Sequence, residues 1–447
     1  MTIARAALAA STPRSGSRDR AVDLVRAACI AGVVMLHAMM VGVAVTGGVP
    51  SFVNASDGTW WVVPLSWVLQ VMPLFFVIGG FSAATAYRRA RERGGDAVGF
   101  VAGRVQRLLR PAIVTIGIVG LLLALLASAG VPADLVALAG FRFGQPLWFL
   151  GVFLVCQALV PALLRLHERA PYATIAALTI AATGVDVARM QSGIDGLGFL
   201  NLAFVWLALQ QLGFFLADGR IDALSRRART IAAIGAVAAL AASFVSGIHS
   251  PDLVANINPP TTALLLVGVV HTALFSLLRE PIARFADRPV VRRVTDFVTP
   301  RAMTVYLWHM PVLLGLAGLT AASALWTGMP LPAVDSGLWW LTRPAWLALA
   351  LAVTAAVVVV AARVEAMTPP PLTSSGRRAG LGVLAGTAAV AMLLVAGTTV
   401  ITATIAVALL AGALRLARAD APARVEGGQR IVRSLVDRVQ VSAHPAP

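Results

Sequence analysis

The chain has 447 residues, 58% of them hydrophobic and only 13% charged, whereas an ordinary soluble domain carries roughly 25% charged residues. Its mean hydropathy of +0.83 and its many separate apolar runs of spanning length exclude a soluble globular protein, and the runs lack the short alternation of a β-barrel. The formal net charge is +16, but membrane topology accounts for it without a nucleic-acid partner.

Residues 1–20 are basic and Ser-rich and lack the apolar core of a cleaved signal, so they read as a disordered cytoplasmic head. Ten core spans are predicted, at 22–46, 60–86, 108–129, 146–166, 172–188, 197–217, 229–248, 261–280, 302–326 and 338–362. The expected fold is an all-α polytopic bundle, with the ten-helix domain filling residues 21–363. A linker follows at 364–378, marked by Pro369, Pro370 and Pro371. The uncharged run 379–414 would be about 54 Å long as one helix, too long for a ~30 Å apolar layer. It is predicted instead to be a transmembrane hairpin turning near Gly397, Thr398 and Thr399. Residues 415–447 read as a disordered basic tail drawn to anionic headgroups. Twenty-six arginines fall in the head and loops on the N-terminal side of the core, against Arg142, Arg189 and Arg343 opposite. The positive-inside rule then predicts a multi-pass plasma-membrane protein with both termini cytoplasmic.

The first span carries two residues that a lipid-facing helix avoids, Arg26 and His37. Eleven residues make three turns plus about 20°, and about 16 Å of rise. Both side chains therefore leave one face, one near a membrane surface and one deeper. Alone, the arginine would be a snorkelling helix end and the histidine a hydrogen-bonded core residue. Sharing a face, they point to a cavity.

In the second span, Pro73 can kink the helix, and Gly79 and Gly80 allow a neighbouring backbone or a ligand to approach closely. Arg104, Arg107 and Arg110 follow at i, i+3 and i+6, running into the apolar third span ahead of Pro111. Guanidinium forks at a membrane mouth suit phosphate. Trp148 opens the fourth span, where an aromatic belt anchor is the usual reading. The ninth carries Tyr306, Trp308 and His309, the last either a member of the same cavity or a buried structural histidine. His271 reads as structural, and His167, His249 and His444 fall in loops or tail. Cys29 and Cys156 match no metal or redox spacing, and no zinc set, P-loop or dinucleotide fingerprint appears.

Together these stretches resemble the acyltransferase 3 family of integral membrane proteins. The match rests on Arg26 with His37, the Pro73–Phe81 stretch, Arg107 and Arg110 before a proline, Trp148-Phe149-Leu150, and Tyr306-Leu307-Trp308-His309, in the family's order. The resemblance implies ten core helices and transfer of an acyl group, often acetyl, from cytoplasmic acyl-CoA to a hydroxyl of a sugar, glycoconjugate or similar acceptor. It implies essential roles for Arg26 and His37. It also assigns the donor to Arg107 and Arg110, with Arg104 beside them, and no permanently bound cofactor or metal. Trp148, Tyr306, His309, Gly79 and Gly80 are the expected substrate pore. His37 would act as a general base or, alternatively, carry the acyl group itself. The rival classes are a transporter or flippase, and a non-catalytic scaffold.

Overall fold

A computed structural model describes residues 19–368 and 370–419; of the head and tail expected to be disordered, 1–18 and 420–447 lie outside the described residues, as does Pro369, whereas Arg20 starts a helix and Arg415 and Leu416 end one. Among the described residues, eleven helical segments are long and apolar enough to cross a membrane. Ten of them coincide with the ten predicted spans, and the chain is an all-α polytopic bundle. The eleventh, with a shorter apolar helix after it, is the C-terminal hairpin.

Helix α1 (Arg20–Met40) is capped by Asp19, whose carboxylate accepts from the Val22 N–H at 3.1 Å. It stops six residues before the predicted end. Val41, Val43, Val45 and Thr46 are β-branched, and Gly47 and Gly48 behind them both have positive φ, +59° and +80°. That pair is a hairpin turn, so β1 (Val41–Thr46) folds back on β2 (Val49–Asn54) as an antiparallel ribbon. The second predicted span is two helices, α2 (Val62–Leu69) and α3 (Met72–Glu92). Pro73 sits in the first turn of α3, where its missing N–H costs no hydrogen bond. It starts a helix and does not kink one.

Helix α4 (Ala97–Ser128) carries all three predicted arginines. Next come α5 (Ala133–Gly144), one 3-10 turn, and α6 (Trp148–Arg169), which together make a single 37-residue segment. The remaining helices are α7 (Pro171–Ser192), α8 (Asn201–Ala217), α9 (Arg226–Val245), α10 (Ala263–Ala286), α11 (Pro289–Val298), α12 (Ala302–Thr327), α13 (Gly337–Ala361), the single turn α14 (Arg363–Ala366), α15 (Gly376–Val395) and α16 (Val400–Leu416).

A tight seam joins α3 to α8. A Cβ on Gly80 would lie 2.2 Å from the Gln210 carbonyl oxygen, and one on Gly213 would lie 2.1 Å from that of Val77. Bare backbone on both helices is what permits this approach. Beside it, Trp206 stacks on Phe76 with ring centres 4.4 Å apart. The hairpin turns at Gly397 (φ +74°), and Thr399 and Thr402 cap α16 reciprocally. It shares one apolar cluster with α4 and α6, built from residues such as Leu109, Leu154, Val390 and Leu410. The Gln106 side chain donates to the Leu414 carbonyl at 2.6 Å and fixes α16 to α4.

Candidate active site

A cavity of about 370 Å³ follows α1 from Arg26 to Met40. It has an arginine end and, where α1 meets the β-ribbon, a ribbon end. At the arginine end it is lined by Arg26, Ser82, Arg104, Arg107, Gln157 and Glu365. The Arg26 guanidinium donates to Asp23 Oδ1 at 3.2 Å and to Ser82 Oγ, so α1 and α3 both hold it. The Arg104 guanidinium lies 4.7 Å from the centre of the Phe100 ring, a cation–π contact. Glu365 Oε1 accepts from the Thr304 N–H at 3.1 Å. Its Oε2 is buried and makes no hydrogen bond among the described residues.

The middle is a throat of Val33, Val34, Phe75, Phe149 and Phe153, with Gly79 on the facing wall. A Cβ on Gly79 would meet the Phe153 ring at 3.3 Å. The glycine thus keeps the throat open while its neighbour Gly80 serves the α8 seam.

Beyond the throat, His37 and His309 come together although 272 residues separate them in the chain. His37 Nδ1 and His309 Nε2 are 2.9 Å apart, the rings lie within 19° of parallel, and His309 is fully buried. The bonding partners assign the protons. His309 Nδ1 faces the Tyr306 carbonyl oxygen, which can only accept, so that nitrogen carries hydrogen. In a neutral ring Nε2 is then the acceptor, and His37 must donate to it from Nδ1. The His37 Nε2 lone pair has no hydrogen-bond partner among the described residues and is left to the cavity. Tyr306 donates its hydroxyl to the Pro146 carbonyl at 2.6 Å, which fixes α12 against the α5–α6 junction. Trp148 rests on Trp206 with ring centres 5.6 Å apart. It lies in the cavity wall at that junction.

The fold thus gathers Arg26, His37, Gly79, Arg104, Arg107, Trp148, Tyr306 and His309 around one cavity and leaves out Gly80 and Arg110. Each three-residue step turns a helix by about −60°, so Arg110 sits some 120° around α4 from Arg104. Its Nε donates to Gln106 Oε1 at 3.0 Å and its NH1 to the Met367 carbonyl at 3.1 Å. Sequence reasoning passed over Ser82, Gln157 and Glu365. The clues were there. Gln157 continues the i, i+4, i+8 row of Phe149 and Phe153, Ser82 lies one turn past Gly79, and Glu365 is the lone carboxylate between Asp335 and Asp420.

Other polar clusters lie away from the cavity and brace helices. His167, expected in a loop, is buried at the end of α6 between Gln211 (2.7 Å) and Asp218 (3.0 Å). Asp186 accepts from the Thr262 N–H and hydroxyl, both at 2.8 Å, and from Asn201 at 2.8 Å. Among the described residues no group of three or more His, Cys, Asp or Glu could hold a metal ion. No curated protein and no solved structure matches the chain significantly. A family model described as an acyltransferase domain matches residues 19–363, which include every lining residue of the cavity except Glu365. The chain therefore belongs to the acyltransferase 3 family.

Proposed function

We propose that this membrane acyltransferase moves an acyl group, acetyl in the first instance, from cytoplasmic acyl-CoA to an acceptor hydroxyl, with His37 as general base. The observation that carries the reading is the single cavity joining a three-arginine end to the unpartnered His37 Nε2. A CoA-like donor has the matching polarity, with a polyanionic head, a flexible arm and a thioester at its tip. Arg104 and Arg107 hold the head by charge-assisted hydrogen bonds. The arm passes Arg26 and lies in the aromatic throat, where its apolar atoms replace water. The thioester carbonyl then stands beside His37.

The chemistry follows from the proton assignment. The acceptor oxygen attacks the carbonyl carbon, a C–O bond forms, and the hydroxyl proton moves to His37 Nε2. The imidazolium keeps its Nδ1–H bond to His309 Nε2, which holds the ring in register as the charge appears. The tetrahedral intermediate collapses, the C–S bond breaks, and Nε2 returns the proton to the departing thiolate. Direct transfer needs no acyl-imidazole in a water-accessible channel, which favours it over covalent catalysis. The donor class, the hydroxyl acceptor and the plasma-membrane location rest on the family resemblance together with this polarity.

Purified protein in lipid nanodiscs, given radiolabelled acetyl-CoA and a host lipid and glycan extract, tests the reading. Wild type should yield a labelled product. His37→Ala should lose roughly 10²–10⁴-fold in turnover while inserting normally. Near-normal turnover in an inserted variant would revive the scaffold reading.

A further inference from the structure

The two ends of the cavity differ in kind. Every charged lining residue, Arg26, Arg104, Arg107 and Glu365, lies at the arginine end. Past the histidine pair, the ribbon end is walled by Leu36, Met40, Leu69, Met72, Val254 and Ile257. Its one polar liner, Gln70, spends its amide nitrogen on the Leu253 carbonyl at 2.7 Å. Ser66, behind it, accepts the Leu253 N–H at 3.0 Å and donates to the Val63 carbonyl at 2.7 Å. Asn256 donates to the Ser250 and Asp252 carbonyls at 2.8 and 2.9 Å. The loop carrying Val254 and Ile257 is therefore a pinned, preformed wall, hydrogen-bonded within itself, to α2 and to Gln70 just after it.

We infer that the acceptor site is the ribbon end and that its substrate is a lipid-like alcohol, with one hydroxyl at the tip of an apolar body. This rests on the reading of His37 as the acyl-transfer base. A polyhydroxylated sugar seated there would bury several hydroxyls against a wall whose one polar side chain is Gln70, and each hydroxyl left without a partner would cost roughly tenfold in binding. An aliphatic body meets matching surface along the wall apart from Gln70. Its hydroxyl, pointing inward, reaches the His37 Nε2 lone pair, while the rest of the molecule extends toward the ribbon end of the bundle.

The test uses wild-type protein in nanodiscs, acetyl-CoA and a series of primary alcohols from four to twelve carbons, with glucose and maltotriose as comparators. Acyl transfer to the alcohols should gain about fourfold in kcat/KM per added methylene, the equivalent of ~0.8 kcal/mol, until the end is filled. The sugars should remain unacetylated. Val254→Trp should end that gain at a shorter alcohol, a change that only folded protein can display. Thiol release from acetyl-CoA with water as acceptor, compared between wild type and His37→Ala, checks the underlying reading separately. His37-dependent release with acetylated sugars and no chain-length gain overturns the acceptor assignment alone. Absence of His37-dependent release and of any transfer overturns both.

Discussion

Arg107 and Arg110 are three residues apart on one helix and make different contacts. Arg107 lines the cavity, whereas Arg110 ties α4 to the carbonyls of Met367 and Thr368. If Arg107 binds donor phosphate, the contact is nearly equal in ground and transition states, and its loss raises KM more than it lowers kcat. A charge-assisted contact is worth about 1.5–3 kcal/mol. Arg107→Ala should then raise the KM for acetyl-CoA roughly tenfold to a hundredfold, and high salt should imitate it. Arg110→Ala should leave that KM unchanged and lower thermal stability; steady-state kinetics and melting of both variants decide. His309 is read in the same way. His309→Leu removes the acceptor for His37 Nδ1–H and frees the other tautomer. Turnover should fall roughly tenfold to a hundredfold with little change in donor KM. His309→Gln, whose amide oxygen can accept, should recover part of it. Equal turnover in the two variants would make the pair a packing feature. The sequence identified these residues by type and spacing. It could not identify which ring nitrogen faces the cavity, because that depends on the Tyr306 carbonyl and on a partner 272 residues away.

At the scale of elements, hydropathy located all ten core spans because each must be apolar over its length. It failed where chain direction is set by turns. Val41–Thr46 is as apolar as a helix end, and only the Gly47-Gly48 pair between β-branched runs signals the ribbon. The break at Gln70–Val71 was hidden likewise, since a proline in the first turn of a new helix reads like one inside a longer helix. The paired glycines of α3 illustrate how much packing decides. Gly80→Ala forces a methyl against the Gln210 backbone, which cannot yield as a side-chain tip can. It should cost about 1–3 kcal/mol, seen as a lower melting temperature in nanodiscs. Gly79→Ala meets only the Phe153 ring. It should spare stability and narrow the throat, raising the KM for acetyl-CoA. A larger melting shift for Gly79→Ala than for Gly80→Ala would reverse these assignments.

At the scale of the whole molecule, charge and cavity share one axis. The basic loops flank the end of the bundle where Arg26, Arg104 and Arg107 line the cavity, while the ribbon and the pinned loop at Val254 and Ile257 close the other. The sequence conveyed the charge bias because positive-inside sorting acts on loop composition alone. The apolar character of the opposite end was not readable, since its walls come from α1, the α2–α3 break and the loop after α9. If the bias sets orientation, the arginine end faces the cytoplasm, where an anionic donor would be met, and the ribbon end faces outward. Single cysteines test this cleanly, because the two native cysteines, Cys29 and Cys156, are buried and should give little background. Thr46→Cys in the ribbon and Ser246→Cys after α9 replace exposed residues at one end, and Glu92→Cys replaces one at the other. An impermeant thiol reagent should label the first two in intact cells, and Glu92→Cys only once the membrane is permeabilised. The reverse pattern would put the arginine end outside, where a cytoplasmic acyl-CoA cannot reach it, and the donor assignment would fall with the topology.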